Sequence, residues 1–243
     1  KALGTAMAKE SALVMAIPTT AGAGPAVAHA CEISILDPLA VSSMSASDAA
    51  SAGVDAFVHA FESYLSRRAT VFSDAVNLHA MTLIASSIRA FVADRNNQSA
   101  ALDMLCGSSL AEMSVGVTGL GNVNCMAKSV AALFPVSRRL ATAVCLPHAA
   151  AFNAPTNPAR YARIAEILGV DGSGRSESQR ATQAIHGLRA LCSDLGIPLR
   201  LRDIGVAEDR LDELARLCSA DDGNSCHPRP SEQDFQALLR AAY

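Results

Sequence analysis

Apolar positions along this chain follow two rhythms, and the change between them divides it. In "ALVMAIPTT" (12–20) the apolar residues are nearly continuous and are stopped by Pro18, and "CEISILDP" (31–38) is a second such run, closed by Asp37 and Pro38. Short apolar runs bounded by breakers predict buried strands. Between them "TTAGAGP" is a loop of small residues, with Gly22 inside it, that lets a ligand approach the backbone closely. Residues 1–10 read as the tail of a helix. Helix, strand, loop and strand predict the last part of a parallel α/β domain over residues 1–41.

From Ser42 onward the period lengthens to that of a helix and no strand pattern returns. Ser45 or Ser47 can cap a helix running through "DAASAGVDAFVHAFESYLS". Further helices are predicted over about 73–92, 98–116, 122–134, 140–151 and 157–168. "SESQRATQAIHGLRALCSDLG" closes on Gly196, ahead of Pro198, and "AEDRLDELARLCSADDG" and "SEQDFQALLRAAY" open with acidic residues suited to helix N-termini. Residues 42–243 therefore form an all-α domain. "DGSGRSES" (171–178) is the one linker-like stretch, and no internal repeat is visible.

Composition narrows the function classes. The 243 residues are 50% apolar, enough for a sizeable core, and the net charge is −3 with Lys and Arg scattered. That distribution gives no electrostatic footprint for nucleic acid or an anionic membrane; a small neutral or anionic ligand is expected instead. Seven Cys, without a CxxC pair, lie mostly in apolar helical patterns and predict reduced, packed thiols. No apolar run approaches the ~18 residues of a spanning helix, and the N-terminus lacks a signal-peptide pattern, so a soluble, cytoplasmic protein is expected. The chain opens in helical pattern without an initiator Met, which predicts that residues precede Lys1.

Chemistry concentrates in few places. Asp55 and His59 lie four apart on one helical face, with Glu62 a turn further. A carboxylate and an imidazole so spaced can share a divalent ion or an ordered water. His79 and His186 read as packed or surface residues, His148 as a core histidine, and Arg229 as a bridge to an acidic neighbour. No nucleophile elbow, second metal motif or basic stripe is present, so a hydrolase or a nucleic-acid binder finds no support.

Seven blocks in order, "AIPTTAGAG", "ILDPLAVSSM", "AGVDAFVHAFESYLS", "GLGNVNCMAKSVAALF", "AVCLPHAAAFN", "LGIPLRLRDIGV" and "HPRPSEQDFQALLRAAY", give the chain a resemblance to the iron-containing (group III) alcohol dehydrogenases. The resemblance covers essentially the whole chain. It implies a dinucleotide-binding α/β domain followed by an all-α domain, as in the dehydroquinate synthase-like architecture, with NAD or NADP and a divalent metal, iron or zinc, meeting between them. It also implies a small alcohol or aldehyde substrate and a homo-oligomer, commonly a dimer. The family's glycine-rich phosphate motif would lie just upstream of Lys1, and a longer stretch is usual between "AGAGP" and "ILDP". Thr19, Thr20 and Gly22 match the cofactor-contacting loop, while Ala23 stands where another Thr is common.

The metal motif departs from its relatives. Asp55 and His59 match the first two ligands, but Asn124 stands at the third position and Arg138 at the fourth, inside "FPVSRRLA" where relatives carry a Pro-His-Gly turn. Lys128 replaces another active-site His, and His227 replaces an Asn. A guanidinium cannot coordinate a cation, and Asn offers only a weak carbonyl.

Three readings follow. The chain is an ordinary metal-dependent dehydrogenase completed by another ligand, with His148 nearest in sequence. Alternatively, fixed cations on a buried Lys128 and Arg138 replace the metal, with Lys128 or His59 moving the proton. In the third, the chain is a degenerate, metal-free member with a binding or assembly role. The expectation carried forward is NAD(P)-dependent oxidoreduction of a small alcohol, aldehyde or ketone, with His59, Lys128 and Arg138 catalytic and Asp55 and His59 able to hold a metal.

Overall fold

Ser45 starts the helix that organises the molecule. In the computed structural model, which describes residues 15–21, 33–226 and 228–243, its hydroxyl accepts the Asp48 N–H at 3.0 Å and helix α1 (Ala46–Leu65) follows. Every residue of α1 from Ala49 to Leu65 is buried. A helix buried on all sides is a core helix, and the polar groups it carries must find partners inside the protein.

Around α1 pack α2 (Val71–Ala93), α3 (Gln98–Thr118), α4 (Asn122–Leu133) and α5 (Arg138–Asn153). α6 (Pro158–Ile167) pairs with α7 (Glu177–Asp194), and α8 (Leu211–Ser219) pairs with α9 (Glu232–Ala242) against α4 and α5. The helices predicted from Ser42 onward are all present, with ends displaced by a few residues where side-chain caps act; the helix tail predicted over 1–10 lies outside the described residues. Thr70 with Ser73, and Ser176 with Gln179, form reciprocal capping boxes that start α2 and α7.

Small residues let these helices approach closely. A Cβ at Gly107 of α3 would stand 2.7 Å from Ile84 Cγ1 and 3.1 Å from the Ala80 carbonyl oxygen on α2. Ile84 and Ala80 are fully buried and have nowhere to move. Gly107→Val is therefore expected to destabilise the fold by about 2–4 kcal/mol, the helix-propensity gain notwithstanding, as read from a denaturant midpoint. Aromatic packing fixes the other side of α1: Phe57 and Phe61 stack at 6.3 Å, and Phe61 meets Tyr161 edge-on at 5.7 Å.

Pro147 sits inside α5 and is buried. Its ring nitrogen cannot donate to the Ala143 carbonyl one turn back, and that oxygen instead receives the Cys192 thiol of α7 at 3.7 Å. Cys106, Cys125, Cys145, Cys192 and Cys218 are free thiols, and all of these but Cys106 are buried.

Two expectations need correction. β1 (Met15–Ala16) and β2 (Ile33–Ser34) do pair in parallel, as the α/β reading requires. They are nevertheless not buried: Met15, Ile17, Ile33 and Ile35 are 41–56% exposed, because among the described residues no second layer covers these two short strands. The spanning-helix test also comes out differently, since α2, at 23 residues, is long and apolar enough to cross a membrane by length and composition. In the fold it packs between α1 and α3, its Asn77 amide is buried and donates to Ser63, and its Asp74 pairs with Arg160.

Candidate functional site

The buried face of α1 delivers Asp55 and His59 to one spot, with His59 Nε2 4.0 Å from Asp55 Oδ1. Asp55 is fully buried and His59 nearly so. Among the described residues, neither oxygen of Asp55 has a hydrogen-bond partner, and neither does His59 Nε2. Burial of a carboxylate without donors is costly, so these three atoms mark a place built for something other than packing.

The other ring nitrogen is held. His59 Nδ1 lies 2.6 Å from Glu112 Oε1 of α3, and both groups are buried. With a carboxylate as acceptor, Nδ1 carries the proton and Nε2 is left as the reactive nitrogen. Sequence reasoning missed Glu112. Its signal was a lone acid in the apolar helix "SSLAEMSVGV", which must find a partner.

Asn124, in the first turn of α4, and Arg138, the first residue of α5, complete the cluster. Arg138 Nη1 donates to Asn124 Oδ1 at 3.2 Å, and Arg138 Nη2 stands 3.9 Å from Asp55 Oδ2. Four residues from three helices thus converge, as the alignment of "FPVSRRLA" implied. Arg138 is partly open to solvent, so its remaining N–H groups are accessible.

Glu62 does not join this cluster. Gly121 begins α4 without a side-chain cap, and the Glu62 carboxylate takes that role, accepting from the N–H groups of Gly121 (2.9 Å), Val123 (2.6 Å) and Asn124 (3.3 Å). Burial pushes its pKa up from 4.5 to about 7, against these donors and His59, which favour the anion. A chain of amides braces the same helix start: Asn224 donates to Asn122, and Asn122 to Asn153, at 2.8 and 2.9 Å.

Lys128 is elsewhere. It was expected to be buried beside His59, but its side chain is 55% exposed and its ammonium donates to Asp221 at 2.8 Å. One turn separates it from Asn124 along α4, and that turn points it to α8 and the loop behind it. His148 donates Nε2–H to the Leu199 carbonyl at 3.0 Å, and burial lowers its pKa, as suits a neutral core histidine. His79 and His186 lie on the surface, and Arg229 donates to Asp222 and to the Ser219 and Asp221 carbonyls.

On the nucleotide side, Thr19 is exposed and the Thr20 hydroxyl accepts from Arg139 Nη2 at 3.3 Å. A hydroxyl and a guanidinium are groups that can hold a phosphate or ribose. Arg139, adjacent to Arg138, was not anticipated. Gly22, Lys1 and His227 lie outside the described residues.

A divalent metal does not fit the other half. Among the described residues of the cluster only Asp55 and His59 offer free ligand atoms, Asn124 Oδ1 is turned to Arg138, and Arg138 is a cation. No trio of His, Cys, Asp or Glu placed to hold a metal is found among the described residues.

Known proteins resemble the chain over nearly its whole length. 1,3-propanediol dehydrogenase of Klebsiella pneumoniae is 34% identical over 251 residues, covering 95% of this chain and 65% of that enzyme. Lactaldehyde reductase of Escherichia coli is 30% identical, covering 97% of this chain and 66% of its own length. A crystal structure of 1,3-propanediol oxidoreductase superposes with a TM-score of 0.91 at 33% identity, over 95% of this chain and 66% of that one. The chain thus spans about 65% of the length of these relatives. Residues 49–243 match the C-terminal part of the Fe-containing alcohol dehydrogenase family. With the helical fold, the parallel strand pair and the Asp55–His59 frame in place, this chain belongs to the iron-containing alcohol dehydrogenase family.

Proposed function

We propose that the protein interconverts a small alcohol and its aldehyde or ketone with NAD or NADP, at the cluster of Asp55, His59, Asn124 and Arg138. The observation that carries this reading is the set of buried atoms without a hydrogen-bond partner among the described residues, Asp55 Oδ1 and Oδ2 and His59 Nε2, beside the half-open guanidinium of Arg138. The relatives' activities, on propanediol and lactaldehyde by their names, support the reaction class.

When bound, NAD(P) supplies or accepts the hydride. Thr19, Thr20 and Arg139 lie where its phosphates or ribose would be held. In the reducing direction the carbonyl π pair moves onto oxygen as hydride reaches the carbon, and the oxygen then takes one proton. Arg138 donates N–H to that oxygen, offsetting the developing charge. In the oxidising direction His59 Nε2 takes the alcohol proton, giving an imidazolium that Asp55 favours and that then releases a proton to water; in the reducing direction Nε2 first takes a proton from water and passes it to the substrate oxygen. Exposed Lys128 takes no part.

Glu112 is a positioning residue here. Glu112→Gln is expected to lower kcat about tenfold with KM little changed, and Glu112→Asp to restore part of it; steady-state kinetics of both variants check this. The reading as a whole is tested by following NADH and NADPH oxidation by the full-length protein with short aldehydes. Turnover lost in His59→Ala supports it. No turnover by a folded protein with either cofactor would favour the degenerate, binding-only alternative.

A further inference from the structure

The family's chemistry places a divalent cation where this chain has Arg138. We infer that the Arg138 guanidinium is the resident cation of the site, replacing a metal ion as counter-charge to Asp55 and as the group that polarises a carbonyl oxygen. The inference rests on the site identified above, and not on its turnover.

Three observations carry it. Asp55 is fully buried and, among the described residues, neither of its oxygens has a hydrogen-bond partner, so it requires a positive neighbour, and Arg138 Nη2 at 3.9 Å is the one permanent cation paired with it there. Asn124 Oδ1, the neutral oxygen at the position of the third ligand, already accepts from Arg138 Nη1 at 3.2 Å. The third is the His59–Glu112 bond, which leaves a single nitrogen, Nε2, facing Asp55.

A metal bound to Asp55 and His59 would lie about 2 Å from each ligand atom, and so within a few ångströms of the guanidinium. Two cations that close in a buried site repel strongly. Two ligands against that repulsion cannot retain a metal, whereas the guanidinium needs no loading. Its class of ligand also differs: a guanidinium only donates hydrogen bonds, so the site takes a carbonyl oxygen or an oxyanion as acceptor and gives no advantage to the two adjacent hydroxyls that a metal could chelate.

The test is anaerobic calorimetric titration of the chelator-stripped full-length protein with Zn²⁺ and Fe²⁺. Wild type is expected to show no site tighter than about millimolar. Arg138→His removes the cation, frees Asn124 and adds a third ligand, and this variant is expected to bind Zn²⁺ at least a hundredfold tighter than wild type. Its Co²⁺ form should show the absorption of a tetrahedral ion, with thermal melting confirming the fold. Micromolar binding by wild type that disappears in Asp55→Ala would overturn the inference. So would a folded Arg138→His that binds no better than wild type, since the guanidinium would then not be what excludes the ion. If Arg138→His fails to fold, Arg138→Gln takes its place, with at least tenfold tighter binding expected and no gain counting against. Lack of turnover with these binding results intact would remove the proposed activity and leave this inference standing.

Discussion

Glu62→Ala is expected to lower stability by about 3–5 kcal/mol, because it strands three backbone N–H groups at the start of α4 and opens a cavity in a fully buried place. For a chain of this size that corresponds to a fall of roughly 10 °C in Tm. Glu62→Gln keeps one acceptor oxygen and is expected to lose about half as much. The consequence reaches the site, since one of the stranded groups belongs to Asn124, the partner of Arg138. Calorimetric melting of the three proteins checks the order.

Glu62 also gives the fold a pH dependence. Its pKa is raised on folding from 4.5 to about 7, so the native state holds the proton more tightly than the unfolded chain. The stability that this provides is fully present below about 4.5 and is lost as pH rises to about 7. The Tm of wild type, measured relative to Glu62→Gln, is therefore expected to decline across that window and then to level off. A difference that grows with pH would show the anion to be the favoured form.

Arg138→Gln carries the largest expected effect on activity, a fall in kcat/KM of about a hundredfold to a thousandfold, the usual consequence of removing a charge-stabilising donor at a developing oxyanion. Gln keeps a donor and most of the length but no charge, so Asp55 loses its counter-ion while packing changes little. The loss should fall mainly on kcat, because the guanidinium acts most strongly once charge has built up on oxygen. Steady-state kinetics with a short aldehyde and saturating cofactor separates kcat from KM. A change confined to KM would instead make Arg138 a binding residue.

Much of the fold was legible because the apolar period changes once, near Ser42, and helix starts carry their own side-chain caps: Ser45, Thr70, Asn97, Ser137, Ser176 and Ser231. The strands were read correctly as a parallel pair but wrongly as buried. Apolar runs report what a strand wants covered, and here the described residues supply no cover. At the site, the four-residue spacing marked Asp55 and His59, and the resemblance gave that spacing its weight. Asn124 and Arg138 needed the resemblance, since neither residue type signals a site by itself. Glu112 and Arg139 depend on contacts between helices distant in sequence, His59 with α3 and Thr20 with α5, and one sequence does not contain those pairings. Lys128 was misplaced for a related reason: although it lies one helical turn from Asn124, its long side chain runs out to Asp221, in the segment after α8, a pairing that one sequence does not contain.

The central claim, a family member whose cation is built into the chain, meets its most direct test in the rate of NAD(P)H oxidation by the full-length protein after exhaustive chelation. The account predicts that turnover of a short aldehyde persists at its original rate without metal and is unchanged by added Fe²⁺ or Zn²⁺. Turnover that vanishes with the chelator and returns with iron would contradict it.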